Sequence, residues 1–168
     1  MSHTAVTLED LLADYEATTD RWKNFFEANP DAALVPTDIA GAKNVGELVR
    51  HIYTASFRTA QRLLGEELSN PALLFPEGDI STAFVIYAEG TKKLRQFLDT
   101  ATETTLEEKF EIQRPGGQGR VISGTKRKLF LHVWVHATRH WAQIVPVLRV
   151  NGFSPDWVHD ILSSEVIR

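Results

Sequence analysis

The 168-residue sequence contains no cysteine. That excludes a disulfide framework, and it removes thiolate from the protein's own stock of metal ligands and nucleophiles. Any metal ion must be held by imidazole, carboxylate or carbonyl groups. No apolar run approaches the roughly 18–20 residues of a membrane span, so no membrane partner is expected. The chain also lacks a basic excess. At a net charge of −4 it has no general electrostatic attraction for nucleic acid. The opening residues, MSHTAVTLEDLL, lack the basic and then apolar profile of a secretion signal, and a cytoplasmic location is expected.

What is present is ordinary globular material, 43% hydrophobic and 24% charged. Its length suits one domain over residues 1–168, with enough chain to bury a core. There is no internal repeat, low-complexity tract or linker.

Four long stretches carry apolar residues at helical intervals. The first, TLEDLLADYEATTDRWKNFFEAN, has Thr7 as N-cap and is stopped by Pro30. The second follows NVGE, where Asn44 caps and Glu47 reaches back in a capping box, and it ends at Gly65. SNPALLFPEGD then reads as a connecting loop. The third helix is expected from Ser81 through STAFVIYAEGTKKLRQFLDTA, although Gly90 and its β-branched residues weaken the pattern. FEIQRPGGQGRVIS reads as a small hairpin turning at Pro115, Gly116, Gly117 and Gly119. The fourth helix, KRKLFLHVWVHATRHWAQIVPVLRVNG, closes at Asn151 and Gly152, with a kink expected at Pro146. Ser154 and Pro155 open a short C-terminal helix. The fold class is therefore all-α: a four-helix bundle with a small β-hairpin insertion before the last long helix.

The fourth helix raises the question of function. It carries His132, His136 and His140 at intervals of four, three of the six histidines in the chain. Residues four apart share a helix face and lie about 6 Å apart along the axis, so two imidazoles can share one ion. His132 and His140 are roughly 12 Å apart along the axis, too far to join one ion with His136 between them. The pair is His132 with His136 or His136 with His140, and spacing does not choose. A third ligand must come from elsewhere, and His51, the one histidine of the second helix, is the obvious candidate. HxxxH without the glutamate of HExxH is not the zinc-protease signature. Isolated histidines on apolar faces are more often hydrogen-bonded core residues, so a bundle whose histidines are merely packed is the plainest alternative.

VGELVRHIYTASFRTAQRLLG and HVWVHATRHWAQIVPVLRVNG, in this order within four helices, resemble the DinB-like family of bacterial proteins over most of the chain. That resemblance implies a four-helix bundle with a three-histidine divalent metal site. The matching positions are His51, His136 and His140, which leaves His132 as a neighbour one turn earlier. The family's common pattern, NHxxHHRGQ, is only partly kept. His136, His140 and Gln143 are retained, while Val135, Arg139 and Trp141-Ala142 replace the asparagine, the first of the adjacent histidines and the Arg-Gly pair. These departures leave the metal reading intact and detach it from any one relative's substrate.

Three neutral imidazoles leave the ion's charge uncompensated and coordination positions open, as in catalytic rather than structural sites. Some relatives are transferases or isomerases that use low-molecular-weight thiols. The resemblance thus implies a divalent-metal-dependent enzyme, a thiol-dependent transferase or hydrolase-like, acting on a small-molecule substrate. The alternative is a non-catalytic metal-containing binding or stress-response protein. Imidazole accommodates zinc, nickel, iron or copper. Glu47 reads as a cap, Gln143 either as a hydrogen-bond partner to a ligand or as an ordinary surface glutamine, and Tyr53 and Tyr87 as core, and none of them is assigned a catalytic role. The Lys126-Arg127-Lys128 run opposes the helix dipole unless an acidic group lies nearby. Trp134 and Trp141, on different sides of the histidine stripe, give the fourth helix more apolar surface than one face needs, from which a homodimer is expected.

Overall fold

The computed structural model describes residues 5–76, 78–113, 121–157, 164 and 166–167. These are mostly helical, with one small antiparallel sheet. Helix α1 (Leu8–Ala28) starts at Thr7, whose hydroxyl accepts from Asp10 N while the Asp10 carboxylate accepts from Thr7 N, a full capping box. It ends one residue before Asn29, and Pro30 opens a 3₁₀ turn over Pro30–Leu34. Helix α2 (Val45–Leu64) is capped by Asn44, which accepts from Glu47 N at 2.8 Å. The Glu47 carboxylate reaches back to Lys43 N, one residue earlier than a standard capping box would place it. Gly65 ends α2 in the left-handed region at φ 70, where a Cβ would be strained.

The stretch expected as a loop contains one helical turn, α3 (Pro71–Leu74). Helix α4 (Ile80–Thr100) begins one residue before the expected Ser81, because Asp79 supplies the N-cap. A second short helix, α5 (Glu103–Glu107), was not anticipated; at five residues it is too short to show a period. Strands β1 (Lys109–Gln113) and β2 (Val121–Thr125) pair antiparallel with Ile112 opposite Ile122, as the hairpin reading requires. The turn at Pro115, Gly116, Gly117 and Gly119 lies outside the described residues. Helix α6 (Lys126–Val150) continues through Pro146 to an Asn151 cap, with Gly152 at φ 86. Most of the expected C-terminal helix, residues 158–163, also lies outside the described residues.

The long helices contact one another as α1 with α4 and α6, and α2 with α4 and α6. Their shared interior holds Tyr15, Trp22, Phe26, Leu48, Ile52, Tyr53, Ile86, Leu94, Trp141, Ile144 and Leu148, each under 2% exposed. Burying each such side chain contributes roughly 1.5–3 kcal/mol, which makes this interior the main source of stability. Gly90 explains why α4 tolerates a glycine in its middle. A Cβ there would stand 3.2 Å from Phe57 Cα and 3.3 Å from Phe57 N, so the glycine lets the α4 and α2 backbones touch.

Polar pins complete the frame. Tyr15 donates to Ser56 Oγ at 3.1 Å, tying α1 to α2. Asp14 accepts from Trp134 Nε1 at 2.8 Å and from Ser164 Oγ at 2.5 Å, tying α1 to α6 and to the C-terminal segment. Lys126 pairs with Glu108 at 2.7 Å, and Arg127 with Glu103 and Glu107 at 2.6 and 2.8 Å. Two of the three basic residues that open α6 therefore have acidic partners, supplied by α5 and the residue after it.

Candidate metal centre

Helices α2 and α6 build the candidate site at the border of their apolar faces. On α2, Leu48 and Ile52 are fully buried and His51 lies between them in sequence, exposed at the edge of that stripe. On α6, Val133, Ala137, Trp141 and Ile144 turn inward, and His136 and His140 flank them. His136 is half-buried and His140 is 9% exposed.

The structure brings His51, His136 and His140 together. One ring nitrogen from each can be chosen so that all three lie within 4.8 Å of one another, a spacing compatible with one shared ion. Their ring centroids are 5.1 Å apart for His51 and His136, 5.2 Å for His51 and His140, and 4.6 Å for His136 and His140. His132 stands 5.2 Å from His136 but does not belong to the cluster of three. The choice that helical spacing leaves open is thus made by where α2 places His51.

The details suit metal ligation. His140 Nδ1 lies 2.8 Å from Gln143 Oε1. With that carbonyl oxygen as acceptor, Nδ1 carries the proton and Nε2 keeps its lone pair for a ligand. Fixing the tautomer through the far nitrogen is what ligating histidines commonly require. His136 Nδ1 is buried with no hydrogen-bond partner among the described residues, an arrangement that costs free energy unless the ring serves another purpose.

The electrostatics keep the cluster neutral. Burial, then the neighbouring charges of His140, His51, His132 and Arg139, push His136 down to about 3. Burial followed by His140 lowers His51. His140 is lowered by burial first, with the Gln143 hydrogen bond opposing and Arg139 adding to the shift. A neutral imidazole is the ligating form, so at neutral pH no proton must be displaced from the cluster to bind a cation.

The remaining sequence candidates fall into structural roles. Glu47 is occupied at the start of α2. Tyr53 is fully buried, and its ring lies 5.3 Å from Tyr87 and 6.5 Å from Tyr15. Burial raises the phenols of Tyr15, Tyr53 and Tyr87, so all three stay protonated and serve as core. Trp141 stacks on Tyr15 at 5.6 Å, and Trp134 is held by Asp14, so both tryptophans find partners within the chain. The arginines beside the histidines were missed. Arg58 and Arg62 follow His51 by seven and eleven residues on α2, whole turns along the same stripe, and that spacing was available in the sequence.

No helix among the described residues is long and apolar enough to cross a membrane. Among curated proteins, none is similar enough to this chain to count as a match. The family comparison does find one: residues 1–165 match the DinB family. With nearly the whole sequence covered, and a histidine from α2 meeting two from α6, the chain belongs to the DinB family.

Proposed function

We propose that this protein is a divalent-metal-dependent enzyme, a thiol-dependent transferase or hydrolase-like, whose ion is held by His51, His136 and His140. The observation that carries the reading is the convergence of three imidazole nitrogens within 4.8 Å, with His140 already oriented by Gln143. A single domain over residues 1–168 with its four long helices arranged as a bundle supplies the rigid frame, and a cytoplasmic location goes with it. Zinc, nickel and iron all suit an imidazole set.

Three neutral ligands without a carboxylate leave the cation's charge undiminished and leave room for a substrate atom. A divalent cation held there supplies Lewis acidity, which favours the thiolate form of a low-molecular-weight thiol or activates water. The chain has no cysteine, so sulfur chemistry at this site requires an external thiol. In the transfer reaction a sulfur–carbon bond forms, the bond to the leaving group breaks, and the thiol proton goes to solvent. His140 is held in register by Gln143, and the fully buried Ile52 and Ala137 keep water from the inner side of the site. A homodimer, expected from the sequence, would have to use exposed residues of α6 such as Leu131 and Val150 rather than the two tryptophans.

The test is turnover of a small electrophile with a chromophoric leaving group by protein loaded with zinc, nickel or iron, with and without a low-molecular-weight thiol. Turnover that needs both metal and thiol supports the transferase. Turnover that needs metal alone supports the hydrolase-like form. Retained metal with no turnover in either arm overturns the enzyme and leaves a metal-containing binding protein.

A further inference from the structure

Beyond the three histidines, the seam between α2 and α6 changes character. His51, Arg58 and Arg62 share one stripe of α2, and His132, His136, Arg139 and Gln143 share one stripe of α6. The helices contact each other, His51 meets His136 and His140, and Arg62 of α2 lies, like Arg139, near enough to His132 for their charges to be felt there. The two stripes therefore run in opposite directions. From the histidine cluster the α2 stripe continues past Arg58 to Arg62, roughly 16 Å of helix at about 1.5 Å per residue, alongside the stripe of α6.

The two stripes are cationic, and among the described residues no carboxylate pairs with their arginines. Helix α6 has no aspartate or glutamate anywhere in its length. The one acidic residue of α2, Glu47, is engaged at its start. Among the described residues Arg58, Arg62 and Arg139 form no ion pair, whereas Arg95 and Arg127 elsewhere are paired with glutamates. Arg58 and Arg62 are only partly exposed, and Arg58 Nε is buried with no hydrogen-bond partner. Two guanidinium groups four residues apart repel each other, and burial and Arg58 both work against the Arg62 cation. A half-buried arginine that meets no carboxylate is costly to hold, and the natural complement of its planar fork is a two-oxygen anion.

We propose that the seam between α2 and α6 binds an anionic oxygen group of the substrate, a carboxylate or phosphate, through Arg58, Arg62 and Arg139. The assignment rests on the enzyme reading above and gives it a substrate class: an acidic small molecule whose charged group lies along the seam and whose reacting atom lies at the histidines. Arg139 stands where the family's common pattern has a histidine, so the anion site belongs to this chain's own departure from that pattern.

The experiment is calorimetric titration of the full-length, metal-free protein with inorganic phosphate and, separately, with succinate, at constant ionic strength. Saturable binding of either probe is expected, and the tighter of the two names the anion. Arg62→Gln and the exposed Arg139→Gln should each weaken it about tenfold, the loss of one charge-assisted contact. Arg149→Gln, on the last turn of α6, should leave it unchanged. Circular dichroism checks that each variant is folded, and exposed Arg139 keeps the test decisive if Arg62→Gln is not. Binding no stronger than that of chloride, or equal binding by Arg139→Gln and the parent protein, overturns the proposal. Because the protein is metal-free, failure of the metal reading does not affect this result, and failure here leaves metal binding standing.

Discussion

Helix α2 shows two different faces, and the contrast between them separates stability from function in this molecule. Toward α4 it is apolar and close. Phe57 is 3% exposed, its backbone lies against Gly90, and Ile52, Tyr53 and Ala60 are fully buried. Toward α6 the same helix offers His51, Arg58 and Arg62, groups that gain little from burial and suffer from one another's charge. A seam built only for stability would continue the pattern of the first face. The second face gives up apolar contact for a neutral imidazole cluster and guanidinium groups that pair with no carboxylate among the described residues, a sacrifice expected at functional sites.

Breaking the first face should cost stability and nothing else. Phe57→Ala is expected to lower unfolding free energy by about 3–5 kcal/mol, measured by denaturant titration. The folded fraction should keep its metal stoichiometry. Gly90→Val should act in the same direction by about 1–3 kcal/mol, because its Cβ meets Phe57 backbone rather than a side chain that could turn aside. If either variant lost metal binding while folded, the two faces would not be independent.

The second face should respond in the opposite way. Gln143→Ala removes the acceptor of His140 Nδ1 and should weaken metal binding about 10- to 100-fold by competition with a chelator, with little change in melting temperature of the metal-free protein. Equal affinity would mean that Gln143 does not orient the ligand.

Acid should sharpen the contrast further. The folded-state values of His51, His136 and His140 lie below the unfolded value near 6.5, with His136 at about 3. Below pH 6.5 the unfolded chain binds protons that the folded cluster does not. Metal-free stability from these groups is thus fully present above pH 6.5 and is lost as pH falls toward 3. Bound cation competes with protons for the same nitrogens and should move that loss to lower pH. Urea midpoints between pH 7 and 4, with and without zinc, measure both. A midpoint that rises on acidification would contradict the burial of these imidazoles.

Much of the frame could be read in the sequence because its signals are local. Thr7, Asn44 and Gly65 mark helix ends through their own hydrogen bonds or φ angle, and the apolar periods of α1, α2 and α6 are long enough to count. Helices α3 and α5 escaped because one or two turns carry no period. The acidic partners of Lys126 and Arg127 escaped with α5, since their meeting depends on how the chain folds back before α6. At the site, the four-residue spacing narrows α6 to two possible pairs and stops there. His51 enters that choice only through tertiary packing, which the family resemblance encodes and periodicity does not. Arg58 and Arg62 were visible as a stripe, yet that no carboxylate among the described residues pairs with them is a fact about neighbouring helices.

Everything proposed for the histidines depends on one ion shared by His51, His136 and His140. The direct measurement is elemental analysis of protein purified without a histidine tag or chelator, beside His51→Ala, His136→Ala and His140→Ala. The parent protein should carry about one divalent ion per chain, as expected for a single three-ligand site, and every variant should lose it. A parent protein that carries no metal and takes up none on addition would contradict the shared site, as would a His51→Ala variant that keeps its ion.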